Sequence, residues 1–275
     1  GNNTVSQCSV DATTGALSNC ASASSGFSNP YGMAVLANGS YAYVANFSAN
    51  TVSQCSVNAT TGALTNCATA ATGFSSPVGV TVSANGSYAY VSNYSTGTVS
   101  QCNVNATTGA LTNCVSAASG FLGPIGVAFS TNGSSSAYVA NFDYGSGTTV
   151  SMCSVDATTG ALSGCAAASS GFSSPYGVAL SANGSYAYVT NSVANTVSQC
   201  SVDATTGALS GCVTTGSGFS SPYGVTVSPN GNYAYVANDG NNTVSQCSVN
   251  STTGALTSCA STGSGFSNPA SVVIN

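Results

Sequence analysis

Residues 5–20 read V-S-Q-C-S-V-D-A-T-T-G-A-L-S-N-C, and this stretch returns in close variants through residues 244–259, six copies in all. The first cysteines of the copies are Cys8, Cys55, Cys102, Cys153, Cys200 and Cys247, a step of 47 residues everywhere except for one of 51. Each is followed twelve positions later by a second: Cys20, Cys67, Cys114, Cys165, Cys212 and Cys259. No cysteine is left over. A period of this length with strand-like alternation marks a circular or stacked repeat fold, in which each unit buries its apolar faces against its neighbours.

The second unit shows the plan outward from the cysteine hairpin. G-V-T-V-S at 79–83 alternates as a strand, Asn85-Gly86 is the dipeptide of a two-residue type I′ turn, and Y-A-Y-V-S-N at 88–93 runs back. Residues 98–104 and 110–114 then form the hairpin around N-A-T-T-G, with the second cysteine ending the outer strand. Four antiparallel strands per period make a propeller blade, so the expected fold is an all-β, six-bladed propeller over residues 1–275 as one domain. A stacked β-solenoid is the rival, but its coils are usually shorter. Cysteines facing each other across one hairpin would staple each blade's outer edge; bonding between neighbouring blades is the alternative connectivity.

Counting strands exposes an asymmetry. The chain opens on a third strand, residues 4–10, and finishes on a first strand, residues 270–275. There are six cysteine hairpins and six first strands but only five second strands of Tyr-x-Tyr-Val type. One blade is thus composed from both termini and lacks its own second strand. Its unpaired backbone groups are satisfied if the flanking strands draw together, if another molecule lends a strand, or if the chain is cut from a longer array.

The chain has no Lys, Arg, His or Glu, and its five acids are Asp11, Asp143, Asp156, Asp203 and Asp239. Nucleic acids and anionic membranes both demand cations, so neither is an expected partner. Twelve cysteines in equivalent pairs imply six disulfides and an oxidising, extracellular location, secreted or at the cell surface. C-x₁₁-C spacing without His does not suit zinc, and no cofactor motif is present. No leader or membrane-length apolar run is read, so the chain is expected to be a mature, soluble form.

Tyr188-Val189-Thr190-Asn191 spells YVTN, with variants at 43–46, 90–93, 138–141 and 235–238. With the P-x-G first strands and N-G-x-Y-A turns, the whole chain resembles the YVTN family of β-propeller repeats. That resemblance implies a propeller; relatives include surface-layer proteins, binding modules and lactonase relatives. Lactonase-like members place acidic and basic residues near the central channel, and no Glu, His or Arg matches them here.

The candidate sites are therefore sparse. Asp11, Asp156 and Asp203 hold hairpin-turn positions where other blades have Asn58, Asn105 and Asn250, which is turn chemistry; Asp143 and Asp239 follow second strands as isolated carboxylates. In the segment G-F-S-x-P-x-G, Tyr31, Tyr176 and Tyr223 are placed to ring one channel mouth and stack on a sugar or other small ligand, although a tight turn between blades needs the same residues. Asn-x-Ser/Thr sequons fall at Asn2, Asn38, Asn46, Asn58, Asn85, Asn93, Asn105, Asn132, Asn183, Asn241 and Asn250. The two hairpin turns of a blade lie at one end of the disc, so that face is the expected glycan-bearing one. The function expected from these features is a non-enzymatic structural glycoprotein that self-associates into an extracellular filament or coat. An adhesive or carbohydrate-binding propeller is second, and lactonase-like hydrolysis third.

Overall fold

In the computed structural model, which describes residues 3–131 and 134–274, strands are grouped blade by blade. The first complete blade runs Pro30–Val35, Tyr41–Asn46, Thr51–Val57 and Leu64–Thr72, and the second Pro77–Val82, Tyr88–Asn93, Thr98–Val104 and Leu111–Ser119. The third comprises Pro124–Phe129, Ser136–Asn141, Thr149–Val155 and Leu162–Ser170. The fourth is Pro175–Leu180, Tyr186–Asn191, Thr196–Val202 and Leu209–Thr215; the fifth is Pro222–Val227, Tyr233–Asn238, Thr243–Val249 and Leu256–Thr262. Each is a four-stranded antiparallel sheet in sequence order, while Thr4–Val10 pairs only with Leu17–Ser25 as a two-stranded sheet.

The expected clean count of six blades is corrected to five complete blades and a partial one. Residues 270–274 carry no strand ladder, yet they stand where a first strand belongs. A Cβ on Gly224 would lie 2.8 Å from Ser271 Cα, just as one on Gly79 would lie 2.1 Å from the Ile125 carbonyl oxygen of the next blade. Inner strands approach so closely at this P-x-G position that a side chain has no room.

Burial explains the strand sequences. In the first blade, residues 42–45 of the second strand are at most 1% exposed, because both faces are covered by neighbouring blades. Tyr43, Ala45 and Val52 pack with Val80, Ala89, Val91 and Cys102 across the first blade boundary, and Phe74 seals the contact. That is why Y-A-Y-V is apolar at every position rather than at alternate ones. The outer strands show one buried leucine each and an otherwise exposed or half-exposed pattern.

Polar latches join blade to blade. Tyr43 donates its hydroxyl to the Gly109 carbonyl at 2.6 Å, Tyr90 to Gly160 at 2.7 Å, Tyr188 to Gly254 at 2.7 Å and Tyr235 to Gly15 at 2.6 Å. Beside them Gln54, Gln101, Gln199 and Gln246 donate to the carbonyls of Thr108, Thr159, Thr253 and Thr14.

Six disulfides close Cys8–Cys20, Cys55–Cys67, Cys102–Cys114, Cys153–Cys165, Cys200–Cys212 and Cys247–Cys259 within single hairpins. The second cysteine lies inside the outer strand rather than at its end, since that strand continues to Ser25 in the partial blade. The register slips at this point, with Ser9 opposite Ser18 but Gln7 opposite Ala21. The residue preceding each second cysteine, Asn19, Asn66, Asn113, Gly164, Gly211 or Ser258, is left-handed. A bulge therefore lets one cysteine face its partner.

The Asn-Gly turns also differ from expectation. Only Gly86 is left-handed, whereas a type I′ turn needs both residues so. Asn85 instead accepts from the Ser83 hydroxyl and the Ser87 N–H through its side chain, shaping a wider turn that Ser83 closes with its N–H to Tyr88 O.

Candidate active site at the channel mouth

The inner strands surround a channel of about 410 Å³, lined by Met33, Val80, Val127, Val178, Val225 and Val272, one from each. Apolar walls bring no chemistry. The mouth at the end opposite the hairpin turns does, because two sets of equivalent residues converge there. One follows each first-strand proline: Tyr31, Val78, Ile125, Tyr176, Tyr223 and Ala270. The other follows each second-strand asparagine: Phe47, Tyr94, Phe142, Ser192 and Asp239.

Their side chains form an aromatic collar around Val78, Ile125 and Tyr176. Ring centroids run Tyr31–Phe47 at 5.3 Å, Phe47–Tyr94 at 6.4 Å, Tyr94–Phe142 at 6.4 Å and Phe142–Tyr176 at 5.7 Å. Tyr176 and Tyr223 close the arc stacked at 3.9 Å. The tyrosines singled out in the sequence are thus brought together. Phe47, Tyr94 and Phe142 were missed, although their column directly after the Tyr-Val-x-Asn signature was available as a signal.

Asp239 is the carboxylate in that column. It is half-buried, and its charge reaches two collar hydroxyls. Burial first, then Tyr31, Tyr223 and Asp239, push the Tyr176 hydroxyl well above its ordinary range; burial first, then Asp239, raise Tyr223. Both phenols remain protonated donors at neutral pH. Tyr176 is 6% exposed and its hydroxyl has no hydrogen-bond partner among the described residues, a costly state for a buried donor. The other buried polar atom without a partner, Asn141 Oδ1, belongs to the residue before Phe142. Asn141 sits in the same latch position as Asn46 and Asn93, its amide donating to Thr149 and Ser151.

Asp143 directly follows the collar residue Phe142. It begins a short 3₁₀ turn, Asp143–Gly145, and accepts from the Ser146 hydroxyl at 3.3 Å. Asp11, Asp156 and Asp203 serve hairpin turns at the opposite end. No group of three or more His, Cys, Asp or Glu able to hold a metal exists among the described residues.

Two sequon assignments are corrected. Asn46 and Asn93 are 3% exposed, with the Asn46 amide donating to Thr51 and Ser53 and its oxygen accepting the Ser28 N–H. Asn93 repeats this set with Thr98, Ser100 and Ser75. Their amide nitrogens hold the fold together and are not presented to solvent. Asn38, Asn58, Asn85, Asn105, Asn183, Asn241 and Asn250 are exposed, while Asn2 and Asn132 lie outside the described residues.

The fold is thus a propeller whose mouth carries an aromatic collar, one half-buried carboxylate and the phenols of Tyr176 and Tyr223. Residues 1–269 match the family model described as lactonase, 7-bladed β-propeller, and the chain belongs to that family. It departs from the seven blades of that description by having five complete ones and a partial one. Among solved structures, a Bacteroides fragilis protein designated a candidate 6-phosphogluconolactonase is 20% identical over 98% of this chain and 94% of its own, with a TM-score of 0.69. The Pseudomonas aeruginosa periplasmic gluconolactonase PpgL is 20% identical over 95% and 77%, with a TM-score of 0.67. A propeller in a nidogen/laminin complex is 12% identical over 90% and 86%, with a TM-score of 0.72. Comparison with curated protein sequences finds no match.

Family membership overturns the expectation of a non-enzymatic filament or coat protein, and with it the low rank given to lactone hydrolysis. The missing basic residues had argued against catalysis, yet the family match extends to residue 269. Six intrachain disulfides fit an oxidising compartment, outside the cell or periplasmic. No helix among the described residues is long and apolar enough to cross a membrane.

Proposed function

We propose that the chain is an extracytoplasmic lactone hydrolase of the YVTN-type branch of its family, acting on an uncharged lactone held in the aromatic collar. The observation that carries this reading is Asp239, the one carboxylate of an otherwise aromatic or neutral column at the collar, whose charge acts on Tyr176 and Tyr223. Asp239 takes a proton from a water molecule as its oxygen attacks the lactone carbonyl carbon. The hydroxyl of Tyr223, half-buried beside Tyr176 and kept protonated by burial and by the charge of Asp239, donates to the carbonyl oxygen as negative charge develops there. The ring C–O bond then breaks, and the leaving alkoxide recovers the proton from Asp239, giving the open hydroxy acid. General base catalysis of this kind contributes about 10²–10⁴-fold, and one oxyanion donor about 10²–10³-fold.

Charge narrows the substrate. A phosphorylated lactone needs a cation to meet its phosphate, and the chain contains no Lys, Arg or His. The aromatic faces suit the C–H surface of a neutral sugar lactone or an apolar lactone. Ring-opening rates followed by acid release should show activity on an uncharged aldonolactone and at least 100-fold lower kcat/KM on its phosphate ester. Tyr223→Phe should lower kcat with little change in KM. Equal use of both substrates, or a Tyr223→Phe enzyme with wild-type kcat, contradicts this assignment.

A further inference from the structure

One blade boundary is built unlike the others. Tyr41, Tyr43 and Gln54 of the first blade donate to the carbonyls of Thr107, Gly109 and Thr108 in the hairpin turn of the second. The glutamine of this trio recurs as Gln101, Gln199 and Gln246, each beside two tyrosines that reach the same kind of turn. From the third blade to the fourth only one member crosses, the Tyr138 hydroxyl, which donates to the Gly207 carbonyl at 2.6 Å. Ser136 stands at the place of the outer tyrosine. Met152 stands at the place of the glutamine, opposite Tyr138 as Gln54 is opposite Tyr43.

The thioether reaches the spot that the glutamines reach. A Cβ on Gly109 would lie 2.6 Å from Gln54 Nε2 and one on Gly254 2.7 Å from Gln199 Nε2, while one on Gly207 would lie 3.1 Å from Met152 Sδ. A thioether has no proton to donate, so Thr206 is without the amide donor that its counterpart Thr108 has in Gln54. Packing is what holds Met152: half-buried, it lies against the cluster that contains Tyr138, Val202 and Leu209. The only other thioether of the chain belongs to the channel residue Met33, and no cysteine is free.

We infer that Met152 is an oxidant-responsive modification site, which takes one oxygen atom from hydrogen peroxide and thereby loosens the boundary between the third and fourth blades. The Sδ lone pair attacks one peroxide oxygen. The S–O bond forms as the O–O bond breaks, the thioether is oxidised by two electrons to the sulfoxide, and the peroxide is reduced to water. The product is polar and carries an acceptor oxygen but no proton. It stands among apolar side chains and beside the Thr206 carbonyl, another acceptor, so it neither packs as the thioether did nor makes the bond that glutamine makes. A glutamine amide takes no oxygen from peroxide, which confines the response to this boundary, where a single tyrosine hydroxyl resists opening.

The inference is independent of lactone hydrolysis and is tested without it. The intact, disulfide-bonded chain is treated with hydrogen peroxide, and its thermal midpoint and amide hydrogen exchange are measured before and after. A portion is then reduced, digested with pepsin because the chain has no Lys or Arg for trypsin, and mapped by mass spectrometry. The expected result is one oxygen added at Met152, a midpoint lowered by about 2 °C or more, and exchange about tenfold faster at residues 203–209 with the turns of other blades unchanged. Methionine sulfoxide reductases should restore both properties. Met33→Leu should respond as the wild type does. Met152→Leu, which keeps the packing and removes the sulfur, should be insensitive, and Met152→Gln should be insensitive and start from a higher midpoint because it regains the bond made at other boundaries. A Met152 that stays unoxidised, a Met152 sulfoxide with unchanged midpoint and exchange, or a Met152→Leu protein that responds like the wild type would each overturn the inference.

Discussion

Tyr188 shows how one hydroxyl joins two blades. Its ring is fully buried, its hydroxyl donates to the Gly254 carbonyl of the next blade, and burial lifts its pKa to about 12. Replacing it by Phe leaves that carbonyl without a donor inside the interface. The expected cost is about 1–3 kcal/mol, seen as a lowered thermal midpoint, while Tyr186→Phe, whose hydroxyl reaches Thr252 at the exposed surface, should cost much less. Equal midpoints for the two variants would show that the latch carries no stability. The sequence made such tyrosines legible as strand residues but not as latches, because their acceptors lie in the neighbouring turn, 66 to 70 positions away or, for Tyr235, 220. Asn46 and Asn93 illustrate the same blindness: a sequon is a local pattern, whereas the burial that consumes their amides comes from the fold.

At the scale of the element, the outer hairpin turn was read correctly from one substitution pattern, Asp in three blades and Asn in others. Asp11 accepts the Thr14 N–H at 2.7 Å, the Thr14 hydroxyl at 2.8 Å and the Thr13 N–H at 3.0 Å. The Thr14 backbone bond first, then its hydroxyl and the Thr13 N–H, hold the carboxyl below its ordinary pKa; Asp156 and Asp203 repeat this with Thr159 and Thr206. A carboxyl whose folded pKa is depressed adds stability that is present above the unfolded pKa and lost as pH falls through the folded one. The thermal midpoint of the wild type should therefore decline below about pH 4, and a triple D11N/D156N/D203N variant should decline less over the same window. Asn58, Asn105 and Asn250 already make the same turn without a titrating group. Parallel pH profiles for the two proteins would refute this. The Asn-Gly turn was misread at this scale because the dipeptide specifies left-handed glycine, while the Asn85 side chain, bonding to Ser83 and Ser87, sets the loop length.

For the whole molecule, a fixed period, alternating strands and paired cysteines made the propeller legible in the sequence. The function was not readable in the same way. The candidate site draws Tyr176 from the fourth blade and Tyr223 and Asp239 from the fifth, so its members come from separate elements and form no local motif. Counting residue types discounted catalysis for want of His, Arg and Glu; the fold places Asp239, Tyr176 and Tyr223 at one mouth and gives the family match a chemical focus. The most direct measurement is the rate of ring opening of an uncharged aldonolactone by wild type, Asp239→Asn and Asp143→Asn, each corrected for spontaneous hydrolysis. The account predicts clear acceleration by wild type, a loss of about 10²-fold or more in kcat for Asp239→Asn, and near-wild-type rates for Asp143→Asn. Wild-type protein that leaves the spontaneous rate unchanged, or an Asp239→Asn variant as active as wild type, would contradict it.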